Sequence, residues 1–180
     1  PVVREMSRPR PRTLWVVLDT LLDDKSGRTW SDRERAIRLA ATIMEEAIAA
    51  GYRVGAAWAL ERGSRVIAPA ERRGHLHQLL DALAEVGVNR TGTLAQATTS
   101  LSPRWLHQAD MVLISPADTD AGAGLDGECL SRLRRESRDL AVIAGPRIAE
   151  AFQDADLPPE ALREPAAATG RLQFQRVGEG

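Results

Sequence analysis

Three short stretches concentrate the oxygen-bearing side chains that could hold a ligand or a reacting group. The first, Asp19-Thr20-Leu21-Leu22-Asp23-Asp24, follows the apolar run 13–18. The second reads Thr91-Gly92-Thr93-Leu94-Ala95-Gln96-Ala97, and the third, Ser115-Pro116-Ala117-Asp118-Thr119-Asp120, closes the apolar run 111–115. In an open α/β sheet, ligands sit outside the carboxyl ends of the strands, so the loops after Leu18, Val86 and Ile114 are where chemistry is expected. An aspartate in the position of Asp19 could act as the nucleophile of a phosphohydrolase, with a cation neutralising the phosphate. That chemistry wants a second carboxylate at position 21, where Leu21 stands, and a downstream lysine, whereas Lys25 is the only lysine of the chain. A Gly-x-Ser-x-Gly nucleophile elbow is also absent.

The remaining reactive residue types point to structural roles. His75 and His77 are two apart on a predicted helix, hence on different faces, and make a poor chelate. His107 has no cysteine or carboxylate at zinc-ligand spacing. Cys129 is the only cysteine, cannot form an internal disulfide, and beside Leu130 and Leu133 reads as a small packed hydrophobe. Trp15, Trp58 and Trp105 are expected in the core or as lids, with Trp30 the one nearest the first loop. The formal net charge of -1 lacks the basic footprint that nucleic acid or anionic lipid selects.

The elements that must position these loops follow from periodicity. Residues 13–18 form a continuous β-rich apolar run, as for a central parallel strand buried on both faces. Ser31 and Glu34 resemble a capping box opening a helix with Ile37, Ala40, Ala41, Met44, Ala47 and Ile48 at helical spacing, ended by Gly51. Residues 52–60 and 64–68, joined by Glu61-Arg62-Gly63, predict a hairpin and an antiparallel edge. Residues 71–86 carry Leu76, Leu79, Leu80, Leu83 and Val86 along one helical stripe. A strand at 111–115, a helix at 125–138 and a strand at 140–144 follow. Leu172, Phe174 and Val177 alternate enough for one last strand. The alternation predicts an α/β fold, a mostly parallel sheet with an antiparallel edge hairpin and helices on both faces.

With 180 residues, 43% of them apolar, one core and therefore a single domain over 1–180 is expected. Residues 1–12 form a charged lead-in and 155–180 a weakly patterned tail. No apolar run approaches the roughly 20 residues of a bilayer span, so no membrane contact is expected of this stretch itself. The chain opens at Pro1, which reads as the C-terminal part of a longer protein whose upstream segment could hold an anchor.

The order of these features carries a resemblance. The apolar strand ending in Asp19-Thr20, the helix start Glu34-Arg35-Ala36-Ile37, the Gly51-Tyr52-Arg53-Val54-Gly55 stretch, the upstream Val3-Arg4-Glu5, and the spacing of Gly74-His75-Leu76 with Leu79-Leu80 and Ala82-Leu83-Ala84 resemble the domain of unknown function 58 family over residues 1–145. That family is von Willebrand factor A-like and often encoded beside MoxR-type AAA ATPases of bacteria. The resemblance implies a Rossmann-like fold and a MoxR-type partner in assembly or maturation; the localisation is left open, a soluble domain that an upstream segment could tether to the bacterial inner membrane. It also implies a metal-ion-dependent adhesion site built on an Asp-x-Ser-x-Ser loop, a threonine and a further aspartate. In this chain Asp19 matches the first aspartate, Leu21 replaces the first serine and Asp23 the second, and Thr93 and Asp118 match the rest. An isobutyl group where a hard cation wants oxygen makes this a degenerate site, with either no cofactor or weakly bound Mg2+. The competing reading makes Asp19 a backbone cap and Thr91 and Thr93 turn or cap residues.

A non-enzymatic protein-interaction domain is therefore the expected function, meeting its partner at the rim of the Asp19, Thr93 and Asp118 loops. The alternatives are the Asp19-dependent phosphohydrolase and a purely structural domain of a membrane-anchored protein.

Overall fold

A computed structural model describes residues 12–22, 30–71, 74–116, 127–145 and 148. Among the described residues, five strands form one sheet in the order β3-β2-β1-β4-β5. They are β1 (Thr13–Leu18), β2 (Arg53–Ala59), β3 (Ser64–Ala70), β4 (Asp110–Ile114) and β5 (Asp139–Ile143). β1 pairs in parallel with both β2 and β4, and β4 with β5, while β2 and β3 form the expected antiparallel hairpin. Gly63 takes a φ of 83° at its turn, a left-handed conformation that glycine adopts without a Cβ clash.

Because successive strand residues face opposite sides, β1 splits between two cores. Leu14, Val16 and Leu18 face α1 (Trp30–Ala49) and α2 (His75–Ala84), meeting Ile43, Met44, Leu79 and Leu83. Trp15 and Val17 face the other layer, α3 (Leu94–Thr99), α4 (Pro103–Leu106) and α5 (Gly127–Glu136), meeting Leu94, Leu106 and Leu133. Helices thus cover both faces, as parallel strands require. Gly55 makes room for this arrangement: a Cβ there would lie 2.9 Å from both Trp15 and Pro69, at the irregularity in the β2–β3 register.

Several boundaries differ from the sequence reading. α1 starts at Trp30, so Ser31 lies inside the first turn and not ahead of it. The stripe of α2 narrows to His75, Leu79, Ala82 and Leu83, with Leu76 and Leu80 half-buried at its margins. The second loop is only partly a loop, since Leu94–Thr99 winds into α3, and the stretch around Trp105 and His107 contains α4. The expected strand through Leu172, Phe174 and Val177 lies outside the described residues, as do the 155–180 tail and all of the lead-in except Arg12.

Candidate functional site

The strand order reverses direction at β1, which has β2 on one side and β4 on the other. The carboxyl ends of β1 and β4 therefore flank the crevice where ligands of open α/β sheets sit. Asp19 leaves β1 there, 2% exposed, and its backbone N–H donates to the Ile114 carbonyl at 2.8 Å. Ser115, equally buried at the end of β4, donates from Oγ to Asp19 Oδ2 at 2.7 Å, and the Leu21 N–H donates to Asp19 Oδ1 at 3.1 Å. One carboxylate oxygen thus ties the two strand ends together and the other fixes the turn that follows β1.

Asn89, 2% exposed, ties the first loop to the second. Its side-chain amide donates to Thr20 Oγ1 at 2.9 Å, the Gly92 carbonyl at 2.8 Å and the Ala59 carbonyl at 3.3 Å. Its Oδ1 accepts from the N–H groups of Gly92 and Thr91 at 2.8 and 3.3 Å, and its backbone carbonyl from Leu22 at 2.8 Å. Thr20 Oγ1 in turn donates to the Ala59 carbonyl at 2.8 Å. One side chain thereby saturates its donors and acceptors on three segments, the condition for burying an amide without penalty. Gly92 is required by the same closeness, because a Cβ there would run into the Leu60 carbonyl.

Thr93 is the N-cap of α3. Its Oγ1 accepts from the Gln96 N–H at 3.3 Å while Gln96 Oε1 accepts from the Thr93 N–H at 3.0 Å, a reciprocal capping box. Thr91 donates to the Glu61 carbonyl at 3.2 Å. The cap and turn roles considered for these threonines are the ones they occupy. On the other side of the rim Arg33, 1% exposed in the first turn of α1, donates to the carbonyls of Val86 and Gly87 at 2.5 and 2.7 Å, beyond the end of α2. Burial pushes its guanidinium below the usual arginine value, and the neighbouring Glu34 opposes that shift.

Of the expected metal donors, Asp19 and Thr93 reach the same end of the molecule and are linked through Asn89, while Asp23 and Asp118 lie outside the described residues. The two described donors fit a hard cation poorly. Asp19 already accepts hydrogen bonds on both oxygens, Thr93 Oγ1 caps a helix, and Leu21 contributes no side-chain oxygen. Among the described residues no group of three or more His, Cys, Asp or Glu side chains could hold a metal ion. His75 is buried and donates from Nε2 to the Val54 carbonyl at 2.7 Å, His77 is exposed, and half-buried Cys129 lies 3.3 Å from Thr98 Oγ1.

Sequence reasoning offered Ser115 as part of the third loop, though not as the partner of Asp19, and did not single out Asn89 or Arg33. Only Asn89 left a local trace, an asparagine three residues before a glycine in a non-periodic stretch, as asparagine turns often show. The family is decided by the match of one family model, described as "Protein of unknown function DUF58", to residues 1–159. The chain belongs to the DUF58 family. No curated protein matches this DUF58 chain. Among solved structures it is similar to a von Willebrand factor type A protein from Catenulispora acidiphila, at 14% identity and a TM-score of 0.49, over 88% of this chain and 42% of that one. It is also similar to proximal thread matrix protein 1 from the mussel byssus, at 10% identity and a TM-score of 0.45, over 74% of this chain and 36% of that one. The DUF58 chain thus spans less than half of either solved chain.

Proposed function

We propose that this chain is a protein-interaction domain without catalytic activity of its own, and that its contact surface is the rim at the carboxyl ends of β1 and β4. The observation that carries the reading is how the rim's polar groups are used. Asp19, Ser115, Thr20 and Asn89 bond to one another and to backbone, which makes a rigid frame and leaves Asp19 poorly placed to attack a phosphate. Apolar side chains project from that frame. Leu60 is 37% and Val88 50% exposed, and the Asn89–Ala59 hydrogen bond joins their immediate chain neighbours. A few well-packed residues on a pre-organised frame are enough for affinity.

The family resemblance names a MoxR-type AAA ATPase as the partner, in assembly or maturation, and any Mg2+ at Asp19 would be weakly held. Calorimetric titration with a MoxR-type ATPase tests the reading directly. Saturable binding that is lost in a Leu60→Asp/Val88→Asp double variant of unchanged melting temperature supports it; equal binding by the variant sinks it. Parallel Mg2+ and Mn2+ titration of wild type and Asp19→Ala separates a metal-dependent from a metal-free mode.

A further inference from the structure

The opposite end of the sheet presents a tryptophan among arginines. Trp105 is 43% exposed although it stacks on the fully buried Trp15, with ring centroids 5.6 Å apart and planes inclined by 27°. Trp15 Nε1 donates to the Trp105 carbonyl at 3.2 Å, so ring and backbone are both fixed and little freedom is left to lose on binding. α4 packs against α5, whose last turn carries Arg134 and Arg135, and the Arg138 N–H donates to the Ala109 carbonyl at 2.8 Å just after α4. Arg104, Arg134 and Arg135 are exposed, and none has a carboxylate partner among the described residues. Asp110 does not serve them, because Arg12 and Arg138 already share its carboxylate.

We propose that this α4–α5 corner docks an acidic protein segment that seats an apolar side chain on Trp105. It is a second surface, independent of the rim. Tryptophan and arginine are the residue types that most often carry interface energy, and the guanidinium fork matches a carboxylate. In a chain of net charge -1, three exposed arginines without a carboxylate partner among the described residues share the α4–α5 corner with a fixed indole and form a local complement to negative charge. Glu136 and the exposed Asp139 border the arginines, which favours a narrow acidic strand of chain over a broad anionic surface.

The test uses a fluorescein-labelled peptide of alternating Glu and Leu, followed by anisotropy at low salt and at ~0.15 M salt, where charges beyond about 8 Å are screened. Binding is expected at low salt and should weaken at the higher salt. It should weaken at least about fivefold in Trp105→Ala and in Arg134→Glu/Arg135→Glu, the latter at surface positions that leave folding intact. The Leu60→Asp/Val88→Asp rim variant should bind the peptide like wild type, which separates this site from the rim. Equal affinity in both corner variants overturns the proposal. So does absence of peptide binding, whether phosphatidylglycerol vesicles bind instead or sedimentation reveals a dimer that the corner variants dissociate.

Discussion

At the carboxyl end of the sheet, fully buried side chains, the neutral Asn89 and Thr20 among them, reach backbone atoms and one another; at the amino end the ties are charges at the edge of solvent. Asn89 and Thr20 close the first end with contacts to Ala59 and Gly92. Asp110 closes the second, accepting from Arg12 at 3.2 Å and from Nε and Nη2 of Arg138, the former at 2.7 Å. Arg12 also lies 5.2 Å from the centre of the Tyr52 ring, a cation–π contact. Removing one member of a dry network strands its partners unsatisfied, whereas a charged clamp 14–41% exposed returns its pieces to water and is screened by salt. The first end should be costly to cut and indifferent to ionic strength, the second cheap to cut and sensitive to it.

The deepest cut is Asn89→Ala, which takes the donor from the Gly92 carbonyl and the acceptor from the Thr91 and Gly92 N–H groups, leaving Ala59 to Thr20 alone, and is expected to cost about 2–4 kcal/mol in urea unfolding at any salt concentration. A loss below about 0.5 kcal/mol would mean that water replaces the amide and that the end is not dry. Asp110→Asn should cost about 1–2 kcal/mol at low salt, and the difference should shrink toward zero near 1 M salt, because both arginines are partly exposed. A salt-independent penalty would erase the contrast between the two ends. Thr93→Ala should cost about 1 kcal/mol through the α3 cap, with amide exchange accelerating in residues 94–99 before anywhere else. A uniform change would show that the cap is not local.

The smallest effect is the one that titrates. Burial pushes the Tyr52 phenol above 10.0, with Asp110 adding to the shift and Arg12 and Arg138 opposing it. The folded state therefore holds the proton longer than the unfolded chain. The associated stability is present below the unfolded value and is lost as pH rises through the folded one. Tyr52 is the only tyrosine, so tyrosinate absorbance reads it alone. A midpoint at or below 10.0, or an alkaline loss of stability that persists in Tyr52→Phe, contradicts the account.

Much of the fold was legible because it rests on long periodic runs. The apolar strand 13–18, the hairpin around Gly63 and the helix stripe through Leu79 and Leu83 each carry their own signal. α3 and α4, of six and four residues, are too short to show a period, and the caps that open them, Thr93 with Gln96 and Ser102 before Pro103, were not read as helix starts. The site was harder to read. Asp19 stood out as a carboxylate at a strand end, but its hydroxyl partner lies 96 residues away, and Asn89 meets Thr20 across 69 residues. No local pattern encodes such pairs. Leu80 belonged to the apolar stripe by spacing yet sits half-buried at its margin, while His75, bonded to the Val54 carbonyl, and Ala82 are buried in its place.

The central position of β1 also sets an order of events during synthesis. Its β2 edge can close once residue 59 has emerged, but its β4 edge has no partner until residue 114 does. At about 5–20 residues per second, that leaves the most apolar strand of the sheet half-paired on the ribosome for several seconds. A nascent chain stalled between these two lengths should leave the β4 edge of β1 open and call on a chaperone, and one stalled beyond β4 should not.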